Sequence, residues 1–208
     1  DGVAQVDAVT GHDYAEYGGA PLADFPPTEA PDGPETLVQG SVNATGSTFT
    51  EVKAYVVNRS AWPARVLPTA TFRYYVTLDG ETTVDDLTLT TNYTSNDQCA
   101  ADRTLTRYPG DATGRTYFAT LSCTDVRPAG QSDHRKELQF RIASAATWDP
   151  GNDFSYQDLS PTPGSTPVDN PAMPLFDGDT LVWGSEPTAG GAAVTTAETP
   201  ATTAPATV

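Results

Sequence analysis

The segment that most constrains the fold is the run 134–142, with the sequence HRKELQFRI. Side chains two residues apart on a β-strand point to the same face of the sheet. One face of this segment would carry the apolar residues Leu138, Phe140 and Ile142. The other would carry four long side chains that form hydrogen bonds: Arg135, Glu137, Gln139 and Arg141. The pattern predicts a strand that is buried on one side only.

These four side chains, called the polar row below, have two interpretations. A line of groups that both donate and accept hydrogen bonds suits a sugar chain. Alternatively, the row is an ordinary solvated face on which each charged pair contributes about 0.2–1 kcal/mol. The residues alone favour the solvated face.

Other short β-type runs occupy most of the chain between residues 36 and 184. They are 37–44, 49–58, 70–79, 86–93, 115–123 and 180–184, and most are bounded by Gly, Pro, Asn or Asp. Nothing shows a helical period. This spacing predicts an all-β protein, an antiparallel sandwich or barrel. Residues 1–34 contain mainly turn and linker signals, and the Thr, Ala and Pro composition after Glu186 predicts a disordered linker.

The charge of the chain narrows the choice of partner. The 208 residues are enough for one sizeable core, and the formal net charge is -16. This charge argues against nucleic acid or an anionic membrane, because both require a basic surface. It suits a secreted protein that acts on a neutral polymer. No apolar run approaches the roughly 20 residues of a membrane span, and no signal peptide precedes the first strand, so we expect a mature segment of a longer product.

Two cysteines, Cys99 and Cys123, each lie next to a strand-like run. In an oxidising compartment they would close a loop of roughly 25 residues and contribute about 3 kcal/mol of stability. The alternative is two unpaired buried thiols. The Gly-, Pro- and Thr-rich composition favours the disulfide and an extracellular setting.

Sequence motifs for catalysis are missing. The chain contains no Gly-x-Ser-x-Gly, no His-Glu-x-x-His and no glycine-rich phosphate loop. Cysteine-based metal sites are excluded by the number of cysteines. Two carboxylates of the kind a glycosidase needs can always be found among 27 acidic residues, so they carry no information here. We therefore do not expect an enzyme.

One group of oxygen-bearing residues suggests a metal site. Asp149, Asn152 and Asp153 crowd one loop, and Thr77 and Asp79 share a strand face. Calcium prefers six to eight oxygen ligands from carboxylates, amides and carbonyls. Ordinary Asx-turn chemistry explains the same loop residues, and on these residues alone it is the better explanation.

Five segments together resemble carbohydrate-binding module family 3. They are NRSAWPAR (58–65), FRYY (72–75), GQSDHRKELQFRI (130–142), WDPGNDFSY (148–156) and LVWGSEP (181–187). The match is closest to subgroup c, whose modules follow the catalytic domain of family 9 endoglucanases. It covers residues 17–187 in order, and the cysteine pair is similar to actinobacterial members. The segment YGGAPLADFPP (17–27) resembles the connector between the catalytic domain and the module.

The resemblance implies an antiparallel nine-stranded jelly-roll β-sandwich with bound calcium. The implied calcium residues are Thr77, Asp79, Asp149, Asn152 and Asp153, some of them binding through backbone carbonyls. It also divides the chain into three parts. Residues 1–35 would be the connector from a catalytic domain, 36–187 the module, and 188–208 a linker rich in Thr, Pro and Ala.

In subgroup c, one face of the sandwich is thought to meet the cellulose chain. The implied residues here are Phe49, Asp86, Leu87, Tyr93, Arg135, Glu137, Gln139 and Arg141. Leu87 stands where relatives often have Ile. Asp86 and Tyr93 have opposite parity on a regular strand. They can serve the same face only if the strand ends or bends between them.

Modules of this family that bind crystalline cellulose carry a flat strip of aromatic residues. The three tryptophans, Trp62, Trp148 and Trp183, all fall within segments shared by the family scaffold, which leaves none for such a strip. The resemblance therefore implies hydrogen bonding to a single loosened chain.

We expect a non-catalytic, secreted, monomeric module that guides a cellulose or other β-1,4-glucan chain to a covalently attached endoglucanase. An independent cellulose anchor and a purely structural module are the alternatives.

Overall fold

The computed structural model describes residues 33–61 and 63–188. This part of the chain contains ten strands: β1 (Thr36–Gly46), β2 (Phe49–Asn58), β3 (Leu67–Thr77), β4 (Leu87–Thr94), β5 (Cys99–Arg107), β6 (Thr116–Val126), β7 (Arg135–Ser144), β8 (Val168–Asp169), β9 (Leu175–Asp177) and β10 (Thr180–Trp183). They form two antiparallel sheets of five strands each. Sheet A has the order β4-β7-β2-β1-β8, and sheet B has the order β10-β9-β3-β6-β5.

This architecture confirms the predicted all-β antiparallel sandwich, with ten strands where nine were expected. The helical elements of the described residues are 3₁₀ turns at Val84–Asp86, Ser95–Asp97 and Pro150–Asn152. None of the helices in this part of the chain is long and apolar enough to cross a membrane.

The hydrophobic core lies between the two sheets because the central strands alternate apolar and polar residues. Leu138 and Phe140 of β7 are buried on the inner side of sheet A, and Phe72, Tyr74 and Leu121 face them from sheet B. The rings of Phe140 and Tyr74 meet edge to face with centroids 5.4 Å apart. The strand pattern of 134–142 therefore has the side-chain directions that the sequence predicts.

Three strands were not predicted. β8 and β9 contain two and three residues, which is too short for a sequence pattern. β5 is an edge strand that is mostly exposed, so it lacks an apolar alternation. The register of β5 on β6 also shifts between Ala101 and Leu105.

A disulfide joins Cys99 of β5 to Cys123 of β6, as the sequence predicts. The two residues are directly opposite each other in the sheet, with Cα atoms 4.1 Å apart. The bond therefore fixes the register at the start of the edge strand.

Candidate functional site

The polar row lies on the outer face of sheet A, the side turned away from sheet B. Arg135 is exposed, and Glu137, Gln139 and Arg141 are half-buried. The residues between them in the strand are buried, including Lys136. At about 3.4 Å per residue, the row is roughly 20 Å long.

Strand β2 supplies a second line of side chains beside the polar row. Glu51 lies opposite Arg141, Lys53 opposite Gln139, and Tyr55 opposite Glu137. These three residues were not singled out from the sequence. The sequence of β2 does predict that they face outward, because they alternate with the apolar residues Val52, Ala54 and Val56, which are all buried. Only the pairing of β2 with β7 shows that the two lines face the same side.

Glu137 lies at the centre of one hydrogen-bonded group. The Tyr55 hydroxyl donates to its Oε2 at 2.7 Å, and the Gln139 amide donates to its Oε1 at 2.6 Å. The ammonium of Lys53 is 3.6 Å from the same Oε1. These contacts fix the position of the Glu137 carboxylate.

Glu51 has the same role at the other end of the row. Its side chain is 9% exposed, and Oε2 accepts from Nε and Nη2 of Arg141 at 3.1 and 2.8 Å. Asn43 of β1 links the two groups, because its amide nitrogen donates to Glu51 Oε1 at 2.5 Å and to Gln139 Oε1 at 3.3 Å. The outer face thus carries one continuous network across three strands.

The network also extends to the edge of the sheet beyond Arg135. Nη2 of Arg135 donates to Gln39 Oε1 at 3.1 Å, and the Gln39 amide nitrogen donates to Asp169 Oδ1 at 2.8 Å. Arg59 lies 3.7 Å from the same Asp169 oxygen. Polar groups therefore cross sheet A from β7 to its edge strand β8.

Two aromatic rings on this face are covered by guanidinium groups. Cζ of Arg135 lies 3.6 Å from the centroid of the Tyr55 ring, and Cζ of Arg141 lies 4.4 Å from that of Phe49. A ring face covered in this way cannot stack on a sugar. Tyr93 differs, because its side chain is 49% exposed.

Strand β4 brings Tyr93 to the same face through an irregularity. The register of β4 on β7 shifts between Thr91 and Tyr93, which places Tyr93 opposite Gln139. Asp86 precedes the strand in a 3₁₀ turn. The register shift is therefore the irregularity that lets Asp86 and Tyr93 serve the same face in spite of their opposite parity.

The expected position of Leu87 on the outer face is wrong. Leu87 is the first residue of β4, where it lies opposite Ser144 and packs into the core between the sheets. Its neighbour Asp86 is half-buried, and its Oδ2 accepts hydrogen bonds from the amide and the hydroxyl of Thr83. These bonds lower the pKa of Asp86.

Local contacts also set the protonation of the network. The Tyr55 hydroxyl and the Glu137 carboxylate raise the pKa of Lys53. Burial, with the hydrogen bond to Glu137, raises the pKa of Tyr55. Near neutral pH, Lys53 is therefore charged and Tyr55 remains a neutral donor.

The five expected calcium residues come together at the end of β3. The carboxylate of Asp153 is buried, and its Oδ1 accepts the amide hydrogen of Thr77 at 2.6 Å. Asp79 accepts from the Asn152 amide at 2.5 Å and from the backbone N–H of Asp149 at 2.9 Å. The Asx-turn chemistry is also present, since Asp149 Oδ1 accepts from the backbone of the next glycine, Gly151.

One buried oxygen in this group, Asp153 Oδ2, accepts no hydrogen bond of normal geometry within the described residues. The indole of Trp148, whose Nε1 is likewise buried without such a bond, nevertheless acts on this carboxyl group and lowers its pKa, against the larger effects that raise it. Burial, with the nearby charges of Asp79 and Asp149, raises the pKa of Asp153 well above its ordinary value. The acidic residues alone do not converge into a metal-binding cluster in the described part of the chain. A hard cation would also need the oxygens of Thr77 and Asn152, and the carboxylate, amide and carbonyl oxygens of this set are of the types that calcium binds.

The two tryptophans in the described part of the chain serve the scaffold. Trp148 is buried in the core, and Trp183 of β10 in sheet B is partly buried and packs against the core cluster. Trp62 lies outside the described residues.

The fold and the site match a known family. Residues 37–184 match the family model for the cellulose binding domain CBM_3. The chain belongs to this family, which is one of carbohydrate-binding modules and not of catalytic domains.

The chain is similar to one part of larger cellulases. It is 46% identical over 176 residues to endoglucanase B of Cellulomonas fimi, covering 83% of this chain and 16% of the relative. It is 37% identical over 179 residues to endoglucanase A of Bacillus pumilus, covering 82% of this chain and 26% of the relative. The chain thus spans about a quarter or less of the length of these curated relatives.

Solved structures agree with this assignment. The crystal structure of endoglucanase CelQ from Clostridium thermocellum, complexed with cellobiose and cellotriose, is 37% identical and superimposes with a TM-score of 0.67. The match covers 86% of this chain and 30% of CelQ. The CBM3a-L domain of scaffoldin CipA from the same organism, 21% identical with a TM-score of 0.58, covers 84% of this chain and 100% of that domain, and it supports the fold alone.

Proposed function

We propose that this module holds a single cellulose chain along the outer face of sheet A and directs it to the cleft of an attached family 9 endoglucanase. The observation that carries the proposal is the continuous hydrogen-bonded network along the polar row. The resemblance to subgroup c and the similarity to one part of several endoglucanases support the attachment.

Because two aromatic rings on this face are covered, hydrogen bonding is favoured over ring stacking as the way the module binds sugar. Arg135 and Arg141 cover Tyr55 and Phe49, so these rings are closed to sugar faces. A guanidinium has five N–H donors. Within the described residues, the bond to Gln39 engages only Nη2 of Arg135. The remaining donors are available for sugar hydroxyls on a chain lifted from the crystal.

Weak individual contacts are sufficient for this role. The covalent tether raises the effective concentration of the module at the cleft, so each contact needs to supply little affinity. Guiding also requires that the chain can slide. A row of exchangeable hydrogen bonds permits sliding more readily than a set of deep pockets.

The test uses the fused enzyme carrying Arg135→Ala together with Glu137→Ala. We expect lower activity and lower processivity on insoluble cellulose, with unchanged turnover of short soluble oligosaccharides that do not reach the module. The measurement is the ratio of soluble to insoluble reducing sugar on filter paper. A matched control is Asp125→Asn with Arg127→Ala, which removes an exposed ion pair outside the row and keeps at position 125 a residue type that tolerates its φ of 54°.

Unchanged processivity would mean that the polar row is only a solvated face. If the double variant is stable and its processivity equals that of the parent, the guiding proposal is wrong.

The second candidate is an independent cellulose anchor, favoured by the exposed ring of Tyr93. A cellulose pull-down of the isolated chain separates the two. Retention with micromolar affinity favours the anchor, whereas weak retention favours guiding. A purely structural module, the third possibility, predicts that substitutions in the row change nothing except stability.

We further propose that Thr77, Asp79, Asp149, Asn152 and Asp153 bind calcium. The buried Asp153 Oδ2 supports this, because it accepts no hydrogen bond of normal geometry within the described residues and a cation would supply a partner. The ion would tie the 148–153 loop to the end of β3. Its role here is structural, since the group lies apart from the polar row.

The disulfide supports a secreted, extracellular location, because such bonds persist in oxidising compartments. The segments expected to be linkers, 1–35 and 188–208, lie almost wholly outside the described residues. Their boundaries stay predictions.

A further inference from the structure

A short connection, residues 95–98, carries the chain from β4 of sheet A to β5 of sheet B. We call it the crossover turn. It begins two residues after Tyr93. Asn96 and Asp97 within it have φ of 50° and 54°, in the left-handed region that, apart from glycine, Asn and Asp occupy most readily. Contacts from both sheets hold the turn in this conformation.

Sheet A supplies two of these contacts from β7. Lys136 is 1% exposed, and its ammonium donates to the side-chain oxygen of Gln98 and lies 3.0 Å from Asp133 Oδ1. The backbone N–H of the next residue, Glu137, donates to Ser95 Oγ at 2.9 Å. These two contacts hold the crossover turn against β7 at Glu137, the residue whose carboxylate is central to the polar row.

Sheet B holds the other end of the turn. The backbone N–H of Thr124 donates to Gln98 O at 2.8 Å, and the next residue, Cys99, is bonded to Cys123. The Cys99 N–H also donates back to the Thr94 hydroxyl at 3.3 Å. The turn is thus tied to both sheets within a few residues of Tyr93.

The choice of lysine at position 136 is informative. Burial of an ammonium group is unfavourable unless it is paired, and an apolar residue of similar size often serves a core equally well. The other core-facing side chains of β7, such as Leu138 and Phe140, are apolar. What Lys136 adds is its contact to the crossover turn.

We propose that Lys136 and the Cys99–Cys123 disulfide are positioning residues for the carbohydrate-binding face. They fix the crossover turn, and the turn fixes the spacing between the Tyr93 ring and the Glu137 carboxylate. The role in sugar binding rests on the function proposed above. The positioning itself can be measured without sugar.

The experiment compares the isolated chain with three variants: Lys136→Met, Gln98→Ala, and Cys99→Ala combined with Cys123→Ala. Amide hydrogen exchange of residues 93–98 reports the turn, with residues 49–58 of β2 as the internal reference. Titration calorimetry with cellohexaose reports binding. Arg103→Met is the matched control, because it also replaces a basic residue by methionine, at an exposed position of β5.

We expect exchange of residues 93–98 to become about tenfold faster in Lys136→Met and in the cysteine double variant, with β2 unchanged. Cellohexaose binding should weaken about three- to tenfold, the range for loss of one hydrogen bond. Gln98→Ala should give a smaller change in the same direction. It also serves as the readout should Lys136→Met fail to fold. Arg103→Met should match the parent in both measurements.

Unchanged exchange in the folded variants would overturn the proposal. Faster exchange with unchanged affinity would overturn it as well, because the turn would then not govern binding. If the parent chain itself does not bind cellohexaose, the proposed function fails, and exchange alone decides whether Lys136 and the disulfide hold the turn.

Discussion

The guanidinium of Arg135 lies over the ring of Tyr55, with its Cζ 3.6 Å from the ring centroid. The two residues belong to adjacent strands, β7 and β2, and the Tyr55 hydroxyl continues the contact to Glu137. The ring therefore serves as a support for the polar row. It orients the guanidinium and the carboxylate with respect to each other.

Loss of the contact between Arg135 and Tyr55 should have a small effect on stability. An exposed cation–π contact contributes about 0.5–1 kcal/mol. Arg135→Ala should therefore lower the free energy of unfolding by no more than about 1 kcal/mol, measured by urea denaturation. A loss above about 2 kcal/mol would mean that the stack is a structural requirement of the sheet.

A substitution on the inner side of β7 should instead have a large effect on stability. Phe140 is fully buried and packs edge to face against Tyr74 of sheet B. Phe140→Ala should lower the free energy of unfolding by about 3–5 kcal/mol, because it leaves a cavity between the sheets. Comparison with Glu137→Ala, on the outer side, gives a direct control. Equal losses for the two variants would contradict the assigned directions of the side chains.

Removal of metal should destabilise the module. Calcium bound only by the folded state adds to its stability by mass action, so excess chelator should lower the melting temperature in calorimetry. Asp153→Asn is the matched variant, and chelator should have little further effect on it. A parent chain whose melting curve does not respond to chelator, and in which elemental analysis finds no metal, would refute the calcium site.

The hydrogen bonds of Asp111 predict how the stability of the module depends on pH. Its carboxylate accepts from the hydroxyl and the N–H of Thr113, and from the N–H groups of Arg115 and Thr116, in the turn between β5 and β6. These hydrogen bonds, above all those of Thr113, lower the pKa of Asp111 well below its ordinary 3.8. The depressed pKa means that this stabilisation is complete above pH 3.8 and is lost progressively as the pH falls below it.

Asp111→Asn should accordingly lose stability at neutral pH and show a weaker dependence on pH in the acid range. Urea denaturation at pH 7 and pH 3 measures both effects. Asp102→Asn is the control, since Asp102 is an exposed residue of the neighbouring β5 whose side chain makes one short-range contact, to the Thr104 amide. Parallel curves for the parent and Asp111→Asn would show that the turn does not depend on the ionised carboxylate.

The sequence alone determined the fold class and the direction of most side chains. In 138–142, a strict alternation of apolar and polar residues can be buried only as a strand with one face inward, so the direction of the polar row is predicted without any knowledge of its neighbours. The cysteine pair was likewise predictable, because the chain contains no other cysteine with which either could pair.

Only the tertiary structure decided which residues lie beside the polar row. Glu51, Lys53 and Tyr55 join it because β2 pairs with β7, and strand order in a sheet is a long-range property that local periodicity does not contain. The shift in β4 that turns Tyr93 outward depends on pairing in the same way, as does the inward position of Leu87. The short strands β8 and β9 exist because adjacent strands offer them partners, since two or three residues carry no pattern of their own.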